Sequence, residues 1–391
     1  MRRWLIVCLL IFGWQMGIVE GATVDGKAVD SLVRAEMLDS LGVDSLNQEV
    51  QAVNRELTLD LSPLTIESVK QLVMKGIDAS PQAIVQAVQT MLFHELAVQL
   101  ELLGRIIFLA MLCVLMQQLH SSFQQSEIAL LSYSVCFIFL LTLGMKAFFT
   151  AVMLTERTIE TMITIMEALL PMLLFLLTTV GAITGAALFT PMVLFAVNAL
   201  GMVMKNVILP LFLLVAVLDS LNYFSTTYRV GQLATLLRQI GMVLFALGMT
   251  LFTGLMAVQG ISGSIADGLG LRTAKFAVGN LVPIVGKLFA DSVDVVFGAS
   301  LILKNAIGIF GIVTIATICV LPLIKLLVLS FLMKASGALI QPMGESRLSA
   351  CLSQWGTHIF LLFAVLLAVA LLFFLTITMI VGMGMVSVMM R

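Results

Sequence analysis

The 391-residue chain is dominated by apolar residues and contains few charges. Hydrophobic residues account for 60% of the chain and charged residues for 11%, whereas ordinary soluble domains carry roughly 25% charged residues. A soluble fold could not cover that much apolar surface, so the composition predicts an all-α, polytopic bundle of membrane helices that contacts lipids. With 21 basic and 22 acidic residues the net charge is −1, which excludes the strongly basic surface of a nucleic-acid-binding protein.

The first 22 residues have the pattern of an export signal. Arg2 and Arg3 precede an apolar stretch from residue 5 to 19, and the small residues Gly21 and Ala22 follow it. This pattern predicts a signal sequence over 1–22, which would place the next segment outside the cytosol. Cleavage after the signal and retention as an uncleaved anchor are both compatible with it.

Residues 23–101 are predicted to form a small external segment of short amphipathic helices. Ser80 is a capping residue before Pro81, and this pair predicts a helix that begins at Pro81. Two interpretations of the segment remain open. It either steadies the first membrane helix or binds a partner.

Residues 102–391 are predicted to form a multispan membrane domain of about seven spans. Most of its apolar runs are long enough to cross a bilayer; they cover residues 103–120, 128–154, 164–186, 190–222, 240–260, 302–334 and 356–388. The run from 190 to 222 is too long for one straight span and contains Lys205, Asn206 and Pro210. It is therefore predicted to be one broken helix or two helices.

A faint internal repeat has an offset of about 112 residues. Leu169 to Pro171 aligns with Leu281 to Pro283, and Leu209 to Leu211 aligns with Leu321 to Leu323. Duplicated helical units of this kind build transporters and pores. Chance similarity within an apolar chain is the alternative explanation.

A polar stripe is predicted near the start of the sixth apolar run. Its residues recur at helical steps of four, three, four and seven and so share one face; they are Lys287, Asp291, Asp294, Gly298 and Asn305. Because ionisable groups in a membrane domain usually face a bundle interior or a wet cavity, the stripe is a candidate pathway lining or subunit contact. The alternative is a helix at the membrane interface, with Lys287 paired to Asp291.

Asn198 and Lys205 form a second candidate site, because they are seven residues apart in one apolar run. Lys205 alternatively extends to the interface from a break in the helix. Other charged residues near predicted helix ends, Asp219 among them, are interpreted as boundary markers. His358 is interpreted as an ordinary helix-end or interfacial residue.

No enzymatic activity is predicted, since no complete nucleotide-binding, metalloprotease or nucleophile-elbow motif is present. The five cysteines are scattered and form no metal-binding or disulfide pattern. No cofactor or metal is therefore expected.

Three segments make the chain similar to a known family. They are GLRTAKFAVGNLVPIVGKLFADSVDVVFGASLILKNAIGIFG at 270–311, ALIQPMGESRL at 338–348 and VSVMMR at 386–391. Together with the export signal and multispan plan, they resemble the stage III sporulation protein AE family of endospore-forming bacteria. The resemblance covers about residues 100–391.

The resemblance implies a multi-pass protein of the mother-cell membrane around the forespore, with its N-terminal segment in the intermembrane space. It implies a subunit of a secretion-like channel complex that is required after engulfment, acting as conduit or assembly platform. Implied partners are other stage III proteins, including an ATPase-like subunit and ring-forming proteins. A self-sufficient secondary transporter and a purely structural scaffold remain the alternatives.

Overall fold

The computed structural model describes residues 47–48, 50–51, 81–122, 127–180, 183–224, 230–281, 285–343 and 346–389. Within these ranges, side chains are described except at 81–85, 87, 119–122, 127–130, 183–185, 188–190, 224, 259–281, 285–299 and 383–389. The described part contains helices and no strands, which confirms the all-α fold class for these residues. The predicted signal at 1–22 lies outside the described ranges.

Seven α-helices follow one another between residues 81 and 389. They are α1 (Pro81–Ser122), α2 (Glu127–Thr179), α3 (Ile183–Val203), α4 (Leu209–Phe224), α5 (Gly231–Leu281), α6 (Val285–Ile340) and α7 (Ser346–Met389). A π-helical turn, Met204–Ile208, joins α3 to α4 without a break, and a short 3₁₀ turn, Gln341–Met343, follows α6. Helix α1 begins at Pro81, as the Ser80–Pro81 pair predicts, and continues past residue 101.

Six helical segments of the described chain are long and apolar enough to cross a membrane. The predicted run at 128–154 and most of the run at 164–186 lie in the single helix α2, which ends at Thr179, so seven apolar runs correspond to six long segments. The run at 190–222 is one helical rod interrupted by the π-helical turn. With its multiple apolar helices, the chain is a multi-pass membrane protein.

The helices are longer than one bilayer requires. Helix α2 has 53 residues and α6 has 56, so each is about 80 Å long at 1.5 Å per residue. The hydrocarbon core of a bilayer is about 30 Å thick. Long stretches of apolar helix therefore extend beyond a single hydrocarbon core.

Antiparallel packing of α6 against α7 brings two backbones close together. A Cβ added at Gly337 of α6 would lie 2.7 Å from the carbonyl oxygen of Ser349 in α7. Close by, the Ser330 hydroxyl donates a 2.7 Å hydrogen bond to the carbonyl oxygen of Gly356. Small residues allow this close approach. In a membrane, where the hydrophobic effect does not drive helices together, close van der Waals packing and hydrogen bonds between helices stabilise the pair.

The rod formed by α3, the π-helical turn and α4 packs antiparallel to α2. A Cβ at Gly201 would lie 2.2 Å from Cδ1 of Ile163, and farther along the pair the Ser220 hydroxyl contacts the Met145 sulfur at 3.5 Å. The hydrophobic core to which these helices contribute includes the buried side chains of Met166, Leu169 and Val197.

Candidate functional site

The π-helical turn explains how the long apolar run is interrupted. Pro210 has no N–H group, and its ring would clash with the carbonyl of Asn206 in a regular α-helix. The helix widens ahead of the proline, and the Leu209 N–H donates to the carbonyl of Met204, five residues earlier. Single π-helical turns occur frequently at functional sites.

The widened turn places Lys205 against two glutamates of α2. The Lys205 ammonium forms an ion pair with Glu160, and its Nζ lies 3.7 Å from Oε1 of Glu156. Together with Asn198 and Asn206, these residues line a pocket of about 240 Å³, here called the charged pocket. The sequence-predicted pair Asn198 and Lys205 thus lies in one site.

The charged pocket is open to its surroundings rather than enclosed. The side chains of Lys205 and Glu160 are 43% and 52% exposed, and Asn198 donates a 3.1 Å hydrogen bond to the carbonyl of Leu194 in its own helix. Two carboxylates and one ammonium give the charged pocket a negative balance. Such a patch can contact water, lipid headgroups or the polar side chain of another subunit.

A second polar site is buried where α4 meets α7. Oδ2 of Asp219 lies 2.8 Å from Nε2 of His358 and accepts a 3.1 Å hydrogen bond from the Gln354 amide. In the next layer, the Trp355 indole N–H donates a 2.8 Å hydrogen bond to the Ser220 hydroxyl. Asp219 and His358, here called the Asp219–His358 pair, are the two ionisable residues that contact each other in this buried polar layer.

The two interpretations drawn from sequence for this pair need correction. Asp219 does lie five residues before the end of α4, but it is buried and paired rather than a solvated boundary marker. His358 is 3% exposed and lies twelve residues inside α7, so it is not a helix-end residue. Both occur within apolar runs, which by itself signals function; their pairing across 139 positions carries no sequence signal.

The polar stripe lies on one continuous helix, because α6 spans Val285–Ile340. The side chains of Lys287, Asp291 and Asp294 are outside the described residues, as is the environment of Gly298. Asn305 is half-buried, and its Oδ1 has no hydrogen-bond partner in the described structure. The stripe itself therefore stays a prediction.

Sequence reasoning passed over Lys304, the neighbour of Asn305. Its side chain is fully buried, and its Nζ donates a 2.9 Å hydrogen bond to the carbonyl of Val381 in α7. Because α6 and α7 are antiparallel, the part of α7 after Val381 runs toward the first turns of α6, which carry Lys287, Asp291 and Asp294.

Neither polar site has the composition of a metal centre. Within the described residues, no three His, Cys, Asp or Glu side chains come close enough together to hold a metal ion. The chemistry available at both sites is ion pairing, hydrogen bonding and proton exchange.

Comparison with known proteins identifies the family. The family model for stage III sporulation protein AE matches residues 65–384. The chain belongs to the stage III sporulation protein AE family. It is also 36% identical over 392 residues to the stage III sporulation protein AE of Bacillus subtilis (strain 168), an alignment covering 99% of this chain and 98% of that protein. No solved structure matches the chain.

Membership confirms the resemblance found in the sequence and shows a role in sporulation for this multi-pass membrane protein. The match spans α1 to the end of the last apolar span. Both the charged pocket and the Asp219–His358 pair therefore lie within the family region.

Proposed function

We propose that the protein is a membrane subunit of a secretion-like channel complex between the mother cell and the forespore, required after engulfment. In this role it acts as a conduit or assembly platform without enzymatic activity. Its partners are other stage III sporulation proteins, including an ATPase-like subunit and ring-forming proteins. Family membership supports the sporulation role, and the dimensions of the helices support assembly with other subunits.

The observation that carries the proposal is the distance between exposed aromatic residues on α2. Phe139 and Phe175 are 62% and 54% exposed, and 36 residues of helix separate them by about 54 Å. A hydrocarbon core of about 30 Å could hold both only if α2 tilted by more than 50°, whereas membrane helices tilt by roughly 0–40°. This separation supports the proposal that protein from another subunit covers at least one end of α2.

Co-purification from sporulating cells tests the subunit assignment. Cells are cross-linked after engulfment, the tagged chain is isolated, and the associated proteins are identified by mass. Phe139→Gln and Phe175→Gln are compared with Phe149→Gln, a matched change at a 52% exposed phenylalanine nearer the middle of α2. The proposal predicts recovery of sister proteins with the parent chain and a reduced yield in at least one end variant.

Two results of that experiment would count against the proposal. One is the absence of every sister protein from the cross-linked parent sample. The other is an undiminished yield in both end variants, which would mean that lipid covers the whole length of α2. Abundance of each variant in the membrane fraction is measured first, so that loss of the chain is not mistaken for loss of contact.

The N-terminal segment, residues 23–101, is proposed to lie in the space between the two membranes. The Arg2–Arg3 signal supports this location, since such signals export the segment on their C-terminal side. A cysteine introduced as Ser45→Cys should react with an impermeant thiol reagent supplied from that space. Labelling that appears only after membrane lysis would place the segment in the cytosol instead.

A self-sufficient secondary transporter is the second candidate function. It is favoured by the charged pocket and the Asp219–His358 pair, because ionisable groups inside membrane domains often mark ion or proton pathways. The subunit assignment accounts better for apolar helices that exceed one bilayer. Measurements of proton-coupled uptake by the isolated protein in vesicles separate the two functions.

A further inference from the structure

The Asp219–His358 pair lies where four helices meet. Asp219 comes from α4 and His358 from α7. From α2, the Phe148 ring meets the His358 ring edge-on, with centroids 6.2 Å apart. Helix α5, which carries Arg238, packs against both α4 and α7. A change in the charge of this pair therefore acts at a place where four helices pack together.

The titratable groups around the pair come from several of these helices. Tyr223 of α4 and Cys351 of α7 interact electrostatically with Asp219, as does Arg238 of α5. Helix α6 brings Lys334 against Gly356, two residues from His358. From α2 the neighbours of the layer are the Phe148 ring and the Met145 sulfur.

We propose that Asp219 and His358 form a proton-binding site between α4 and α7, and that protonation of His358 tightens the packing of α7 against α4. A neutral imidazole N–H donates a hydrogen bond that is already assisted by the negative charge of the Asp219 carboxylate. An imidazolium adds a positive charge on the donor, so protonation turns this hydrogen bond into an ion pair with a direct Coulomb attraction. Both partners are largely shielded from water, with side-chain exposures of 12% and 3%, so the added attraction is little screened.

Proton access is compatible with this geometry. Asp219 is five residues from the end of α4, or about 8 Å along the helix, and retains a small exposed surface. The pair is thus near enough to the end of the helix to exchange protons with water. Gln354 also donates to the same carboxylate oxygen, which keeps Asp219 hydrogen-bonded when His358 is neutral.

Trp355 provides a built-in reporter of this site. It is three residues before His358, so the two side chains lie on neighbouring positions of one helix face. Imidazolium quenches indole fluorescence more strongly than neutral imidazole does, so protonation changes the emission intensity. The emission wavelength reports the surroundings of the indole, which is 1% exposed and bonded to Ser220 of α4.

The experiment uses the full chain in lipid nanodiscs with Trp355 as its single tryptophan. The chain has three tryptophans, so Trp4→Phe and Trp14→Phe leave only Trp355. Emission is followed from about pH 5 to 8, the range in which histidine side chains commonly titrate. The proposal predicts a reversible transition in both intensity and wavelength, with the shorter wavelength at low pH.

Matched variants assign the transition to the pair. His358→Gln should abolish it, whereas His94→Gln, the same change at an exposed histidine of α1, should leave it intact. Asp219→Asn should shift its midpoint, because the charge that faces the imidazole is removed. If His358→Gln does not fold, the shift of the midpoint in Asp219→Asn is the deciding measurement.

Three results would overturn the proposal. Emission that does not change with pH would show that the pair binds no proton in this range. A transition unchanged in His358→Gln or in Asp219→Asn would place the titrating group elsewhere. A change in intensity without a change in wavelength would show proton binding that leaves the packing of α7 unaltered. All three are measured on the isolated chain and do not depend on the channel assignment.

Discussion

Gly144 and Trp355 form a contact that leaves no space for another atom between α2 and α7. A Cβ at Gly144 would lie 1.7 Å from Cζ3 of Trp355, a ring fixed by burial and by its hydrogen bond to Ser220. Gly144→Ala should therefore destabilise the bundle by about 1–3 kcal/mol, the usual cost of overpacking. The measurement is the apparent free energy of unfolding in detergent.

Gly104→Ala on α1 is the matched control for this prediction, since no described residue outside its own turn of helix has an atom within 4 Å of the added Cβ. Alanine favours a helix over glycine by roughly 0.5–1 kcal/mol, so this change should be neutral or slightly stabilising. Equal destabilisation by the two substitutions would show that the Trp355 contact is not the cause.

Exchanging the two charges of the Lys205–Glu160 ion pair in the charged pocket should preserve their attraction. Lys205→Glu sets three acids side by side and should lower spore formation and the stability of α3–α4 on α2. Adding Glu160→Lys to that variant should restore part of both, since opposite charges again face each other. Spore counts and unfolding in detergent are the two measurements.

The control for this reversal is the ion pair of Arg105 with Glu101 on α1. Its side chains are 64% and 75% exposed, and exposed pairs of this kind contribute about 0–1 kcal/mol. Arg105→Glu should therefore change little. If the double variant at the charged pocket is no better than Lys205→Glu, the pocket does not act through the attraction between these two charges.

At the scale of elements, the first turns of helix α6 carry the charged residues of the polar stripe. We expect Asp291→Leu or Asp294→Leu to lower spore formation more than Val295→Leu does. The leucines keep the helix apolar and remove only the charge, whereas Val295→Leu conserves hydrophobic character on another face. Normal spore counts in both aspartate variants, at normal abundance, would favour a helix that simply lies at the interface.

Sequence patterns predicted the elements better than their contacts. The apolar runs, the start of α1 at Pro81 and the interruption before Pro210 all result from local rules, because hydrophobicity and proline geometry act within one helix. The sequence did not predict that two apolar runs are joined in the single helix α2, because Glu156 and Glu160 interrupt the apolar pattern but not the helix. The glutamates face Lys205 instead, a contact across 45 positions that no local pattern records.

At the scale of the whole molecule, loss of the protein should arrest sporulation after engulfment and leave vegetative growth unchanged. The expectation rests on the sporulation family and on the proposed assembly, in which a separate ATPase-like subunit supplies energy. A deletion strain is scored for growth rate and for the stage at which development stops. Arrest before engulfment, or slow vegetative growth, would point to a broader membrane role.

Energy coupling separates a channel subunit from a lone transporter. A transporter can couple an ionisable group of its membrane domain to the membrane potential, which supplies about 2.3 kcal/mol per charge per 100 mV, and needs no partner. Asp291 of the polar stripe is the candidate for that group. The subunit proposal therefore expects no proton-coupled uptake by the purified chain in vesicles. Uptake that disappears in Asp291→Asn would make the transporter the better account. A dependent subunit draws its energy from elsewhere in the assembly. The subunit proposal therefore requires both that the isolated chain shows no uptake and that the tagged chain recovers its sister proteins from sporulating cells.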